Sequence, residues 1–342
     1  MFSLNSYYIF YLFLCYITFI LEISKGTVFT KFKDSNYKIF IWIIIGFLGL
    51  IFGLRDINFG TDTYKYLNFI KFPIDITSFI IYDDIGIFIL IKYLKLFFSS
   101  NITSIIISIL SVYLYISSYR KIIGDNSIYF IPLILSFFWF IDLNSNLLKA
   151  GLAYGFILCA LAHSKRKNIL FTIAFLFHSS SIIFFVAYRI RNFIRTKTLL
   201  LLWFICNIFS YFEFGLYNAI LYLINYINPN LADILNIKNI LLSESYKTGF
   251  RIDFSIYSFL AIAPFILKIF KGKNFDLLNL YIILNSLFVL SYNVPYSNRL
   301  GLLSFILMPI ILYQSFDQNN YKRQFYFPIY ILVSSIFTYL IL

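Results

Sequence analysis

Three arginines stand at the edges of apolar segments. Arg55 closes one in GLRDINFGTDTYKY, Arg251 opens another in TGFRIDF, and Arg299 opens a third in PYSNRL. A guanidinium keeps its charge at any biological pH, and its planar fork of N–H donors fits phosphate oxygens two at a time. At the rim of a hydrocarbon layer such a group is expensive, so it is typically paired or functional. A single arginine there also reads as snorkelling to the headgroup level. Three at one depth read better as a binding set. Lys149, in SNLLKAGLAYG, adds a fourth cation at the end of another apolar segment. A diphosphate carried on a lipid is the ligand that such a set suits.

The same stretches hold groups able to bind an acceptor or move a proton. Asp56 and Asp62 share a connection with Arg55, and Asp253 follows Arg251 by two residues. Each of these carboxylates either balances a nearby cation or serves as an acceptor ligand or base. Gly60 permits a tight turn that would aim Thr61 and Asp62 back toward the membrane. Asp56, Gly60, Thr61, Asp253 and Asn298 are accordingly candidates for acceptor binding or structural support. His178 is the lone residue in NILFTIAFLFHSSSIIFFVAY that ionises near neutrality. Imidazole is the side-chain type that exchanges protons near neutrality, so His178 is the first candidate for a general base and Asp62 the second. His163 sits at a loop edge beside Lys165 and reads as solvated. No glycine-rich phosphate loop, metal-ligand cluster or nucleophile triad signature appears. A reaction without metal or cofactor is expected.

These residues need a scaffold, and the composition restricts its kind. Of 342 residues 61% are apolar, 22% aromatic and 13% charged. A soluble domain carries about a quarter charged residues, so a water-soluble globule is excluded. Several apolar runs approach the ~17–25 residues that cross ~30 Å of hydrocarbon. The expectation is an all-α polytopic integral membrane protein with about ten to twelve membrane helices, forming one helical domain over residues 1–342. The net charge of +13 does not indicate nucleic acid, because the basic residues are scattered between hydrophobic segments, as in cytoplasmic loops. Cys15, Cys159 and Cys206 stand singly in apolar runs, so neither disulfides nor zinc sites are expected. The first segment lacks a basic start and a small-residue cleavage site, and reads as a retained helix.

The hydropathy pattern predicts spans near 5–23, 38–54, 102–119, 128–141, 147–163, 198–213, 254–270, 277–292, 299–316 and 325–342. Segment 85–98 is short and carries Lys92 and Lys95, which suits an amphipathic external helix. With the basic loops placed in the cytoplasm, 24–38, 120–127 and 163–168 lie inside, and 55–101 and 142–146 lie outside. A plain crossing at 168–188 would then expel Arg189, Arg191, Arg195 and Lys197, and later Lys268, Lys271 and Lys273. A re-entrant or broken helix turning near His178 repairs both conflicts. Each half would rise ~15 Å, half the hydrocarbon thickness, and the serines after His178 would satisfy freed backbone groups. Full crossing is the alternative. The long external loops become 55–101 and 214–253, and Arg55, Arg251, Arg299 and Lys149 share the outer edge.

This constellation resembles the Wzy/EpsG-type polysaccharide polymerases. GLRDINFGTDTYKY followed by DDIGIFILIKYL, then LLKAGLAYG, FLFHSSSIIF, GFRIDF and PYSNRLGLLSF are similar to that family's motifs in the same order. The resemblance spans about residues 38–316. It implies an O-antigen polymerase of the bacterial inner membrane, with its active site facing the periplasm. Such a glycosyltransferase joins oligosaccharide repeat units carried on undecaprenyl diphosphate, for lipopolysaccharide biosynthesis. The implied diphosphate-binding residues are Arg55, Arg251 and Arg299. Lys149 stands where the family often has arginine, which keeps the charge but loses the fork. The implied partners are the lipid-linked oligosaccharide, the bilayer and a chain-length regulator. Two other readings use the same cations: a flippase for the same lipid, which should show internal repeats and charges on both leaflets, and an O-antigen ligase.

Overall fold

The structure, a computed structural model, describes residues 34–56, 62–71, 85–123, 131–163, 165–215, 222, 249–267, 275–294, 297–316 and 333–334. The described residues are all helical, as expected, and no strand occurs among them. The expected spans 5–23 and nearly all of 325–342 lie outside the described residues, as do Gly60 and Thr61. The helices gather into two compact units: Met1–Ile182 with 316–342, and Ile183–Ser315.

In the first unit, α1 (Asp34–Gly53), α2 (Thr63–Lys71), α3 (Ile85–Lys95) and α4 (Ser100–Ile123) lead to three shorter helices. These are α5 (Ile131–Leu135), α6 (Phe138–Ser145) and α7 (Leu148–Ala162), followed by α8 (Lys167–Phe177). Helix α4 is the axis of this unit. Among the described residues it alone is long and apolar enough to cross a membrane by itself. Helix α1 packs on it antiparallel through Gly49 and Gly53. A Cβ at Gly53 would lie 2.5 Å from the Ile105 Cα, and one at Gly49 2.9 Å from the Ile109 Cα. Glycines four apart let two backbones approach this closely, the usual device where helices have no hydrophobic drive to associate.

Helix α7 uses the same device in the same direction as α4. Gly151 faces Ser111 and Gly155 faces Leu114, whose Cβ would lie 2.8 Å from an added one. Further along, Ser118 Oγ meets Cys159 Sγ at 2.9 Å, and Lys121 Nζ meets His163 Nδ1 at 2.9 Å. Arg120 and Lys121 therefore share one end of the unit with Lys165, Arg166 and Lys167, while α1 finishes at the other. Arg166 lies three residues beyond His163, which stands in a cationic patch.

Two expected boundaries require correction. The reading of 128–141 as one uninterrupted span, with 142–146 as an external connection, does not hold. Helix α5 stops at Leu135, and α6 continues to Ser145, where it meets α7 at a bend of 115°. The helix runs on through Asp142–Ser145, and its buried polar side chains are satisfied inside it. Asn144 donates to the Phe140 carbonyl and Ser145 to that of Ile141. This elbow packs on Ser111, about 16 Å along α4 from Ser100 and so near its middle. The expected 299–316 span is likewise interrupted, at Ile306–Leu307.

The second unit contains α9 (Ser181–Ile190, entered from the first), α10 (Thr196–Tyr211), α11 (Ile252–Ile266), α12 (Asp276–Leu290), α13 (Ser297–Phe305) and α14 (Met308–Phe316). Its centre is Asn285, which is fully buried. Asn285 accepts from Trp203 Nε1 of α10 at 2.7 Å. It donates to Ser258 Oγ of α11 at 2.9 Å and to Ser304 Oγ of α13 at 3.1 Å. One amide thus joins four helices. Asn285→Leu is expected to leave the Trp203 N–H buried without its acceptor and to cost about 1–3 kcal/mol. Thermal unfolding in detergent measures this, and a transition unchanged from wild type would contradict it.

Both units present apolar side chains outward. Ile39, Trp42, Ile43 and Phe47 of α1 are more than half exposed, as are Leu201 and Phe204 of α10. A soluble protein rarely exposes continuous apolar stripes of this kind; hydrocarbon would cover them without penalty.

Candidate active site

Arg55 is set by the glycine packing that precedes it. Gly53 brings the end of α1 against α4, where its carbonyl accepts from Ser104 Oγ at 2.9 Å. Two residues on, Arg55 is buried and turns back over the helix end. Its Nη1 donates to the Phe52 carbonyl at 2.7 Å, and its Nε approaches Thr63 Oγ1 at 3.4 Å. Asp56 beside it is half-buried. Thr63 opens α2, a helix that sequence reading leaves as loop because TYKYLNFIK is nearly neutral in hydropathy.

Asp62 precedes Thr63 and is buried, with Lys65 at 3.5 Å as an ion-pair partner. Its backbone N–H donates to Asn146 Oδ1 at 2.9 Å. Asn146 is the elbow residue between α6 and α7, and its Nδ2 donates to Asp142 Oδ1, also at 2.9 Å. Arg55, Thr63, Asp62, Asn146 and Asp142 therefore form one connected polar chain. Lys149, half-buried, lies in the first turn of α7 immediately after that elbow.

His178 breaks the helix where the sequence predicts a break. Its backbone is extended (φ −159°, ψ 117°) between α8 and α9. Ser181 Oγ returns to the Ala174 carbonyl at 3.3 Å, which is the serine compensation expected for the freed groups. The turn rests on α7: the Tyr154 and His178 rings lie 6.1 Å apart, and Tyr154 Oη reaches Ser180 Oγ at 3.3 Å. Tyr154 is three residues, about 5 Å, beyond Gly151 along α7. The His178 break and the elbow thus occupy the same middle layer of the unit. The first turn of α3 arrives there too, since a Cβ at Gly86 would lie 2.9 Å from the Leu176 carbonyl. Helix α3 buries Ile87, Phe88 and Ile91 and exposes Lys92, with Lys95 half-buried and Ile85, Ile89 and Tyr93 exposed as well.

In the second unit Arg251 caps the start of α11. Its Nε donates to Asp253 Oδ1 at 2.9 Å and its Nη2 to the other oxygen, while its guanidinium lies 4.7 Å above the Phe254 ring. The hydrogen bonds to Asp253 raise its pKa above the ordinary arginine value, against some desolvation. Asp253 therefore balances Arg251, leaving three of the five guanidinium N–H bonds outside the pair. Phe254 packs on Phe288 of α12 and on Phe305 of α13. Gly301 presses on that same Phe288 ring, with an added Cβ 2.9 Å from its Cζ. Half-exposed Arg299 stands two residues before Gly301, and Asn298 beside it is exposed. Arg251 and Arg299 thus share the end of the unit where α11 and α13 begin and α12 finishes. The other end holds Arg191, 3.7 Å from Asp276 at the start of α12. The described basic connection, Arg189 to Lys197, and the two candidate arginines lie at opposite ends.

The EpsG family model matches residues 38–342. The chain belongs to the EpsG family. Proteins of the EpsG type are Wzy-like polymerases, so this chain is, at family level, a polysaccharide-polymerase-type membrane protein. Neither curated proteins nor solved structures give a match.

For an EpsG-family chain the structure adds three residues that the spacing of charges does not reveal. Asn146 and Asp142 tie the first connection to the elbow, and Tyr154 supports the His178 turn. Asn146 and Asp62 are 84 residues apart, and no local pattern reports a bond over that distance. The one available signal was the polar density of DLNSN between two apolar runs.

Proposed function

We propose that this EpsG-family protein is an O-antigen-type polymerase of the bacterial inner membrane, crossing it several times. It transfers an oligosaccharide from undecaprenyl diphosphate to a hydroxyl of the next lipid-linked repeat unit on the periplasmic side. The observation that carries this reading is the family match over nearly the whole chain. Within it, Arg55 lies away from the end of its unit that holds Arg120 and Lys121, and Arg251 and Arg299 lie away from the end of theirs that holds Arg191.

The reaction breaks the bond between the anomeric carbon and the diphosphate oxygen and forms one to the acceptor oxygen. Negative charge grows on the departing diphosphate, and the acceptor loses a proton. Fixed guanidinium groups stabilise the first change without reorganising; that is the role given to Arg55, Arg251 and Arg299, with Lys149 as an additional point charge. His178 is the proposed base and Asp62 the alternative. His178→Ala is expected to slow elongation about 10²-fold or more while Asp62→Asn costs less. Rates of chain growth for the two variants measure this, and the reverse order would transfer the role to Asp62.

Purified protein mixed with lipid-diphosphate-linked repeat units tests the whole reading. Lengthened chains are expected from these components alone. A requirement for a lipid A-core acceptor would mean a ligase, and transbilayer movement of the lipid without new bonds would mean a flippase.

A further inference from the structure

The elbow between α6 and α7 lies half-way along α4, yet it is bonded to the connection that follows α1. Its geometry fixes both ends of one amide. Asn146 must offer oxygen to the Asp62 N–H and nitrogen to the Asp142 carboxylate, at 2.9 Å each. The Asp142 carbonyl meanwhile accepts the backbone N–H groups of Asn146 and Leu147, at 2.9 and 2.8 Å. Below it, Asn144 Oδ1 accepts from Ser111 Oγ at 2.7 Å and locks the elbow to α4. The elbow itself is rigid, because Gly151 presses directly on the Leu143 carbonyl. The partner it grips is Asp62, which is followed by Thr63 and, through the Thr63 hydroxyl, linked to Arg55.

We propose that Asn146, oriented by Asp142, is a positioning residue for glycosyl transfer, one that holds the Arg55–Asp62 connection against the layer containing Lys149 and His178. The inference rests on the polymerase reading and adds to it a device for setting distance. The diphosphate-side cation Arg55 and the acceptor-side carboxylate Asp62 sit on one short connection. A pin at Asp62 therefore sets both relative to the His178 turn. Misplacement by about 1 Å is enough to cost on the order of a hundredfold in rate, so the pin affects turnover more than binding of the lipid.

The pair is testable by exchange. Asn146→Asp keeps an acceptor for the Asp62 N–H but sets a second carboxylate against Asp142. Asp142→Asn in the same chain restores a donor to that carboxylate, with the two side-chain types swapped. The expectation for N146D is a kcat at least about tenfold lower, with KM for the lipid-linked donor within about twofold of wild type. The N146D/D142N double variant should recover most of the kcat. Thermal unfolding separates positioning from folding, because N146D should keep its transition while losing turnover. A double variant no better than N146D, or an N146D with wild-type kcat, would overturn the proposal. So would a loss of kcat matched by an equal loss of folded protein. Failure of the wild-type protein to lengthen lipid-linked units would instead strike the polymerase reading itself, so the two failures remain distinct.

Discussion

Cells carrying Arg299→Ala are expected to make single capped repeat units and no ladder of longer chains, with the protein present at its normal level. Arg251→Ala should behave alike. Each guanidinium is asked to stabilise charge that appears only as the glycosyl–diphosphate bond breaks. Removing one such preorganised donor costs about 2.7–4 kcal/mol, or 10²–10³ in rate. For a polymerase this loss compounds, since a chain of many units needs the step many times over. Arg299 gives the cleaner test because it is half-exposed, so its loss should leave folding intact. Arg55 is buried and holds the Phe52 carbonyl and Thr63, so Arg55→Ala mixes lost charge with a loosened helix end. Lysine at position 299 keeps the charge without the fork and should allow short chains only. The readout is the chain-length ladder on a gel beside an immunoblot of membrane protein. Normal ladders from both alanine variants would remove the arginines from the mechanism.

How far the sequence discloses such a site depends on the range of the interaction that builds it. The His178 break was legible because a polar residue and three serines interrupt an apolar run, and the compensation is local: Ser181 bonds to Ala174, seven residues back. The separation of Arg251 and Arg299 from the basic stretch Arg189 to Lys197 was legible because charge asymmetry is a property of whole loops. Helix α2 escaped notice because its residues carry neither the hydropathy of a span nor a strong cap. The α6–α7 elbow was misread for a better physical reason. DLNSN has the composition of a turn, but buried Asn144 and Ser145 donate to carbonyls of their own helix, and Ser111 of a distant segment donates to the Asn144 oxygen. Polar residues that satisfy one another across segments look, in one dimension, like polar residues meeting water.

That elbow also sets the severest expected effect of a single methyl group. A Cβ at Gly151 would overlap the Leu143 carbonyl oxygen and lie 2.9 Å from its carbon. Both are backbone atoms, so no side-chain rotation relieves the clash; either α7 retreats from α6 or the bend opens. Retreat separates Gly155 from Leu114, and opening it carries Asn146 away from Asp62 and Lys149 away from the site. Overpacking commonly costs 1–3 kcal/mol where side chains can yield, and here they cannot. Gly151→Ala is therefore expected to destabilise by more than about 3 kcal/mol, with little protein accumulating in membranes and no elongation from what remains. Gly46→Ala on α1 is the matched control. An added Cβ there meets nothing within 4 Å, and alanine in a helix interior is favoured over glycine by about 1 kcal/mol, so that variant should be as stable as wild type or slightly more. Detergent-solubilised yield and thermal unfolding of the two variants compare them directly. If Gly151→Ala matched Gly46→Ala in both, the close approach of α7 to the Leu143 carbonyl would not be what fixes the elbow.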